Sequence, residues 1–152
     1  MKFHVVVVGT PARGPMAEAI ASYERRAARY WPLAIHEVRA ESARSAAPAQ
    51  VREREAQRLL ERASGAIIAC DERGVSLTSQ EFARWLQKLR ERANDVSFVI
   101  GGAFGLDETV RQRATRVLAL APWTLSHDLA RLVLAEQLYR AGTLVRGEPY
   151  HK

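Results

Sequence analysis

"SFVIGGAFGLDETV", residues Ser97 to Val110, runs an apolar stretch into three glycines within five residues and then into a helix start. Val96–Ile100 reads as a buried strand, and Asp107 is a suitable N-cap for a helix reaching about Ala114. A strand, a glycine turn and a helix in that order form a βα step, and the rest of the chain decides whether the step repeats.

It does repeat. Phe3–Gly9 is a β-branched run ending in a Gly-Thr-Pro turn, and Met16 to about Tyr30 sets Ile20, Tyr23, Ala27 and Tyr30 on one helical face. Leu33–Val38 alternates weakly as a second strand. Arg39–Gln50 lacks periodicity and reads as a loop. Val51–Ala63 is a helix, Ala66–Cys70 a short buried strand, and Asp71–Gly74 a turn. Thr78 and Glu81 form a capping box for a helix to about Arg92. Val117–Leu120 is the last strand, Asp128–Ala141 the last helix, and Thr143–Lys152 a tail. Strands alternating with helices predict an α/β fold with a mostly parallel sheet flanked by helices.

The chain has 152 residues, which fits a single domain spanning 1–152 with a core of its own. One cysteine, Cys70, excludes an internal disulfide and suits a reducing compartment. No apolar run is long enough to cross a bilayer, so a cytoplasmic protein without membrane association is expected. Net charge is +6 and the sequence pI about 10.1, which favours an anionic partner such as nucleic acid. Arg54, Arg58 and Arg62, and again Arg84, Lys88 and Arg92, lie at i, i+4, i+8. Each set is either a phosphate-facing stripe or a solvated helix face. The four histidines and the cysteine have no zinc spacing, so no metal is expected.

The last helix carries apolar residues around almost its whole circumference, including Leu129, Leu132, Val133, Leu134, Leu138 and Tyr139. One small sheet cannot cover all of it, so a homodimer through this helix is inferred; a fully internal helix is the alternative.

Ligands of open parallel sheets bind at the carboxyl ends of strands. Three ends are marked here: Cys70-Asp71, Gly101–Gly105 and Leu120–Ser126. The glycine cluster is not a dinucleotide fingerprint, and no Gly-Lys-Ser/Thr follows it as in a P-loop. It is either a tight βα turn or a place where backbone approaches a ligand. The loop Ala121-Pro122-Trp123-Thr124-Leu125-Ser126 has an indole and little charge, which suits a flat, adenine-like group. His127 begins the last helix, either bonding local backbone or acting in catalysis. Tyr150 and His151, near the C-terminus, could close a site or stack on a base.

Taken together, "IGGAFGL" (Ile100–Leu106), "WTLSHDLARLVLAEQLYRA" (Trp123–Ala141) and the terminal "GEPYHK" resemble the RlmH family of SPOUT methyltransferases. "VVVVGT" (Val5–Thr10) and "YERR" (Tyr23–Arg26) also fit, so the resemblance spans the chain. It implies an α/β-knot fold with a deep C-terminal trefoil knot, which periodicity does not reveal. It implies a homodimer that uses S-adenosylmethionine to methylate N3 of a pseudouridine in 23S ribosomal RNA of the large subunit, on the assembled ribosome. By position it implies a cofactor pocket of Cys70, Gly101, Gly102, Gly105, Leu120, Ala121, Pro122, Trp123, Thr124 and Leu125. Catalytic residues would be His127, Arg140, Tyr150 and His151, the last three finishing the active site on this copy's cofactor or the partner's. Ser126 stands where family members often have proline. Two rival readings are a non-catalytic RNA-binding α/β module and a nucleotide-binding hydrolase; the missing P-loop lysine argues against the second.

Overall fold

The computed structural model describes residues 1–44 and 46–152. Among the described residues five strands alternate with five helices: β1 (Phe3–Val8), α1 (Pro15–Ala27), β2 (Leu33–Val38), α2 (Pro48–Arg62), β3 (Ala66–Ser76), α3 (Ser79–Glu91), β4 (Val96–Ile100), α4 (Glu108–Arg113), β5 (Arg116–Ala119) and α5 (His127–Val145). All four strand pairings are parallel, in the order β2-β1-β4-β3-β5.

Every residue of β1 and β4 is buried because helices cover both faces of the sheet. The period of two in a strand divides the core accordingly. Phe3, Val5, Val7, Phe98 and Ile100 point to the side of α1, α3 and α5, where they meet Trp31, Leu86, Leu134 and Leu138. Val6, Val8, Val99 and Ala69 point to the other side, against Ala56 and Leu59 of α2 and Val110 of α4. Trp31 donates its indole N–H to the carbonyl of Leu138 at 2.8 Å, tying the end of α1 to α5.

Several boundaries differ from the sequence expectation. The Asp71–Gly74 segment is not a turn that ends the strand. β3 continues to Ser76, with its register on β5 shifting between Cys70 and Val75 so that both pair with Leu118. The polar, turn-forming composition of Asp71–Gly74 conceals an excursion that β5 holds from both ends. The Arg39–Gln50 loop ends early, since Pro48 opens α2 with its ring-fixed φ and Gln50 reaches back to the Ala47 N–H at 3.4 Å. The tail is shorter as well: α5 runs on to Val145, with the Thr143 hydroxyl bonded to the Arg140 carbonyl at 2.8 Å.

Intrachain neighbours cover more of α5 than its composition suggested. It lies against β-sheet, α1 and α3 together, burying Leu134, Ala135, Leu138 and Ala141. Arg131 of α5 is also buried, at 6% exposure. Its guanidinium bonds Glu24 of α1 at 2.7 Å and Glu37 of β2 at 2.8 Å. Leu129 is exposed and Leu132 and Val133 are half-buried, which leaves an apolar strip facing outward.

Candidate active site

β4, β3 and β5 are adjacent, so the segments leaving their carboxyl ends meet above the sheet. They line a cleft of about 120 Å³, open to solvent, with walls that include Cys70, Asp71, Gly101, Gly102, Gly105, Leu120, Ala121, Trp123, Thr124, Leu125 and His127. Of the residues expected to hold a cofactor, only Pro122 is off the wall: it is exposed in the same loop.

The glycine loop is shaped by close approach. The Gly105 N–H bonds the Gly102 carbonyl at 3.0 Å, and Gly105 takes a left-handed φ of 79° that favours glycine. A Cβ on Gly101 would stand 2.6 Å from the Gly105 carbonyl carbon, so the backbone folds back on itself with no room for a side chain. A Cβ on Gly102 would meet the end of Glu55 at 2.8 Å. Glu55 of α2 is buried at 3% exposure. Its Oε2 accepts the Glu41 N–H at 3.1 Å, whereas Oε1 has no partner among the described residues. Burial raises its pKa above the ordinary carboxylate value. Sequence reasoning missed this carboxylate because on α2 it is simply one of several acids.

The opposite walls are less polar. Burial, then the neighbouring Asp71, pushes the Cys70 thiol up to about 12, so it is a neutral wall group and not a nucleophile. Thr124 is tied to Glu72 by a hydroxyl–carboxylate hydrogen bond, which joins the β5–α5 loop to the β3 excursion. Trp123 is 77% exposed and stands at the rim, not packed inside. His127 is the first residue of α5 and lies 3.5 Å from the Asp128 carboxylate through Nε2.

Arg140, Tyr150 and His151 are brought together, but elsewhere. Arg140 reaches the His151 Nδ1 at 3.2 Å and stacks 4.7 Å above the Tyr150 ring. Tyr150 also packs on Tyr139 at 4.6 Å. Their hub is Glu136, which lies within the Trp123–Ala141 stretch but is not among the site residues singled out there. One of its oxygens accepts from Arg140 Nη2 at 2.6 Å and from the Tyr150 hydroxyl at 3.1 Å. Burial, with hydrogen bonds to Tyr23 and Glu136, raises the Tyr150 pKa and keeps the phenol neutral. An Arg side chain only donates, so Nδ1 of His151 must accept and the ring proton sits on Nε2. Glu136 and Arg140 lie 9 and 13 residues beyond His127 on one helix, which at 1.5 Å per residue places them roughly 14 and 20 Å along α5 from it.

The sequence profile described as "Predicted SPOUT methyltransferase" matches residues 1–151. The chain belongs to the RlmH family of SPOUT methyltransferases. A protein of Gemmatimonas aurantiaca named "Ribosomal RNA large subunit methyltransferase H" is 56% identical, covering 100% of both chains. Proteins of the same name from an Anaeromyxobacter species and from Geobacter sulfurreducens are 47% and 42% identical, covering 100% and 99% of each chain. A solved structure of a probable methylase family protein from Haemophilus influenzae superposes with a TM-score of 0.55 at 15% identity, over 99% of this chain and 70% of that one; it shares the fold.

SPOUT methyltransferases use S-adenosylmethionine, and the walls of the cleft suit that molecule. Leu120 and Leu125 offer apolar surface for an adenine ring, and the side-chain-free loop offers backbone groups to its edges. Asp71 and Glu72 stand at the mouth of the cleft, the first paired with Arg111 and the second bonded to the Thr124 hydroxyl.

Proposed function

We propose that this protein methylates N3 of a pseudouridine in 23S ribosomal RNA of the large subunit, on the assembled cytoplasmic ribosome, as a homodimer joined through the outer strip of α5. The observation that carries the reading is the end-to-end likeness to relatives named as large-subunit ribosomal RNA methyltransferases, in a chain whose candidate cofactor cleft is intact. The trefoil knot implied by the resemblance belongs to the same reading.

In this mechanism Gly101, Gly102, Gly105, Cys70 and the Leu120–Leu125 loop hold and orient the cofactor and keep water from it. S-adenosylmethionine supplies an electrophilic methyl group. N3 of the base must lose its proton to attack, and a base at neutral pH is an imidazole. His127 takes this role, because it lines the cleft whereas the Nδ1 lone pair of His151 is engaged by Arg140. His151 then offers its Nε2–H, and Arg140 its guanidinium, to the base carbonyls as negative charge develops. The spacing of roughly 14 to 20 Å along α5 supports a shared site in which the second cluster comes from the partner copy.

Incubation with labelled S-adenosylmethionine and ribosomes lacking the methylation tests the reaction: label in 23S RNA is expected, and its absence together with no calorimetric cofactor binding would leave an RNA-binding module. Two inactive variants test the shared site. Gly101→Val with an intact tail, mixed and refolded with a chain lacking Tyr150–Lys152, should recover about a quarter of wild-type activity, since half the dimers regain one complete site. No recovery would place both clusters' work within one chain.

A further inference from the structure

A second cleft of about 710 Å³ adjoins the cofactor cleft and shares Gly102, Leu125, His127 and the acids Asp71 and Glu72 with it. What it adds is distinctive: Arg52, Arg73 and Arg111, with Phe104 at the tip of the glycine loop. Arg111 is committed to the fold, bonded to Asp71 at 3.1 Å and Glu108 at 2.6 Å. Its pairing answers Asp71, and Glu72, the other acid lining the cleft, accepts from the Thr124 hydroxyl. Arg73 is 68% exposed on its side chain and only loosely placed, 3.9 Å from Asp71. Arg52 reaches the cleft from the half-exposed side of α2. Phe104 is 39% exposed because the Gly102–Gly105 bond closes the loop behind it and turns residues 103 and 104 outward. Trp123 stands beside the same mouth. Exposed aromatics and loosely held cations around one cleft do not suit an apolar protein partner, for which the arginines would be buried at a cost. They do suit single-stranded nucleic acid, whose bases stack on aromatic faces while cations follow the phosphates. A duplex would keep its bases stacked inside and out of reach of Phe104.

We infer that this cleft seats an unpaired RNA nucleotide next to the one being methylated, its base stacked on Phe104 and its phosphates held by Arg52 and Arg73. This rests on the RNA methyltransferase reading and extends it to how so small a protein grips a loop of RNA. Stacking would set the strand's position, and the arginines would add affinity that falls with salt. Phe104 lines this cleft and not the cofactor cleft, so the two sites can be perturbed separately.

The experiment compares Phe104→Ala, Phe104→Tyr and the double variant Arg52→Ala/Arg73→Ala. Each is checked for an unchanged thermal melt, titrated with S-adenosylmethionine by calorimetry, and bound to unmethylated ribosomes over a range of salt by filter retention. Phe104→Ala should weaken ribosome binding about tenfold, the loss of one base stack, with cofactor affinity within twofold of wild type. Phe104→Tyr should retain binding. The double variant should lower the salt slope by about 1.4, at roughly 0.7 for each single-strand phosphate that is no longer neutralised. Unchanged ribosome binding in Phe104→Ala would overturn the inference, as would an equal loss of cofactor affinity, which would make Phe104 part of the cofactor site. Ribosome binding by a wild-type protein that transfers no label would overturn the methyltransferase reading alone, and the Phe104 comparison would still decide the clamp.

Discussion

Gly101 and Gly102 differ in how much substitution each tolerates. At Gly101 an added Cβ meets backbone at 2.6 Å, whereas at Gly102 it meets the movable end of a glutamate. Gly101→Ala should therefore distort the loop, costing about 1–3 kcal/mol of stability and most of the cofactor affinity. Gly102→Ala should do neither to the same degree. Thermal melting and calorimetry on both variants check the order, and equal tolerance would show that the loop relaxes freely. The sequence marked these glycines as a place of close approach without saying which atoms come close. Glu55 and Glu136 were not legible at all. Each is one acid among many on a helix, and only packing makes the first a buried carboxylate under Gly102 and the second the hub of the tail.

Among elements, α5 depends most on buried charge. Arg131 ties it to α1 and β2 one turn beyond His127, so the bridge also fixes where the catalytic candidate begins its helix. Arg131→Leu leaves Glu24 and Glu37 without their partner and should cost about 3–5 kcal/mol in urea unfolding. A loss under 1 kcal/mol would mean the carboxylates find water. At the other end of the sheet, Asp95 accepts the Lys2 N–H at 2.8 Å and contacts His4 at 3.1 Å and Ser64 at 3.2 Å. The Lys2 backbone bond, then the bond from His4, hold its carboxyl down to about 2. A depressed carboxylate pKa stabilises the fold above the unfolded value near 3.8 and loses that contribution as pH falls toward 2. The stability gap between wild type and Asp95→Asn should thus be constant at pH 5–7 and close between pH 4 and pH 2. A gap that stays constant to pH 2 would contradict this. The strand run Ala66–Cys70 was legible because it is apolar. Its continuation to Ser76 was not, since Asp-Glu-Arg-Gly has the composition of a turn and only pairing to β5 keeps it in the sheet.

At the scale of the molecule, the sheet's strand order matters more than any single loop. It sets three neighbouring carboxyl ends together, while the tail folds back on the middle of α5 at Glu136 and Tyr139. Deleting Tyr150–Lys152 should abolish turnover while leaving S-adenosylmethionine affinity within about twofold, since no tail residue lines the cleft. Equal loss of both would mean that the tail closes over the cofactor itself. The basic stripes resolve differently at this scale. Arg54 and Arg58 of the first are taken up by Glu41, at 3.6 and 2.5 Å, and hold the β2–α2 loop. Arg84 and Lys88 of the second flank a shallow groove with Leu144 and Val145.

The sequence by itself determined the alternation of strands and helices, the buried parallel character of β1 and β4, and the glycine turn where a ligand could approach. These are local matters of periodicity, turn chemistry and caps, so they can be read along the chain. Tertiary structure alone decided which strand ends are neighbours, that Glu55 lies under Gly102, and that the tail folds back on Glu136 and Arg140, more than two turns of α5 from His127. Those facts depend on strand order and on hydrogen bonds between residues 11 to 107 positions apart, and no local pattern in the sequence encodes them.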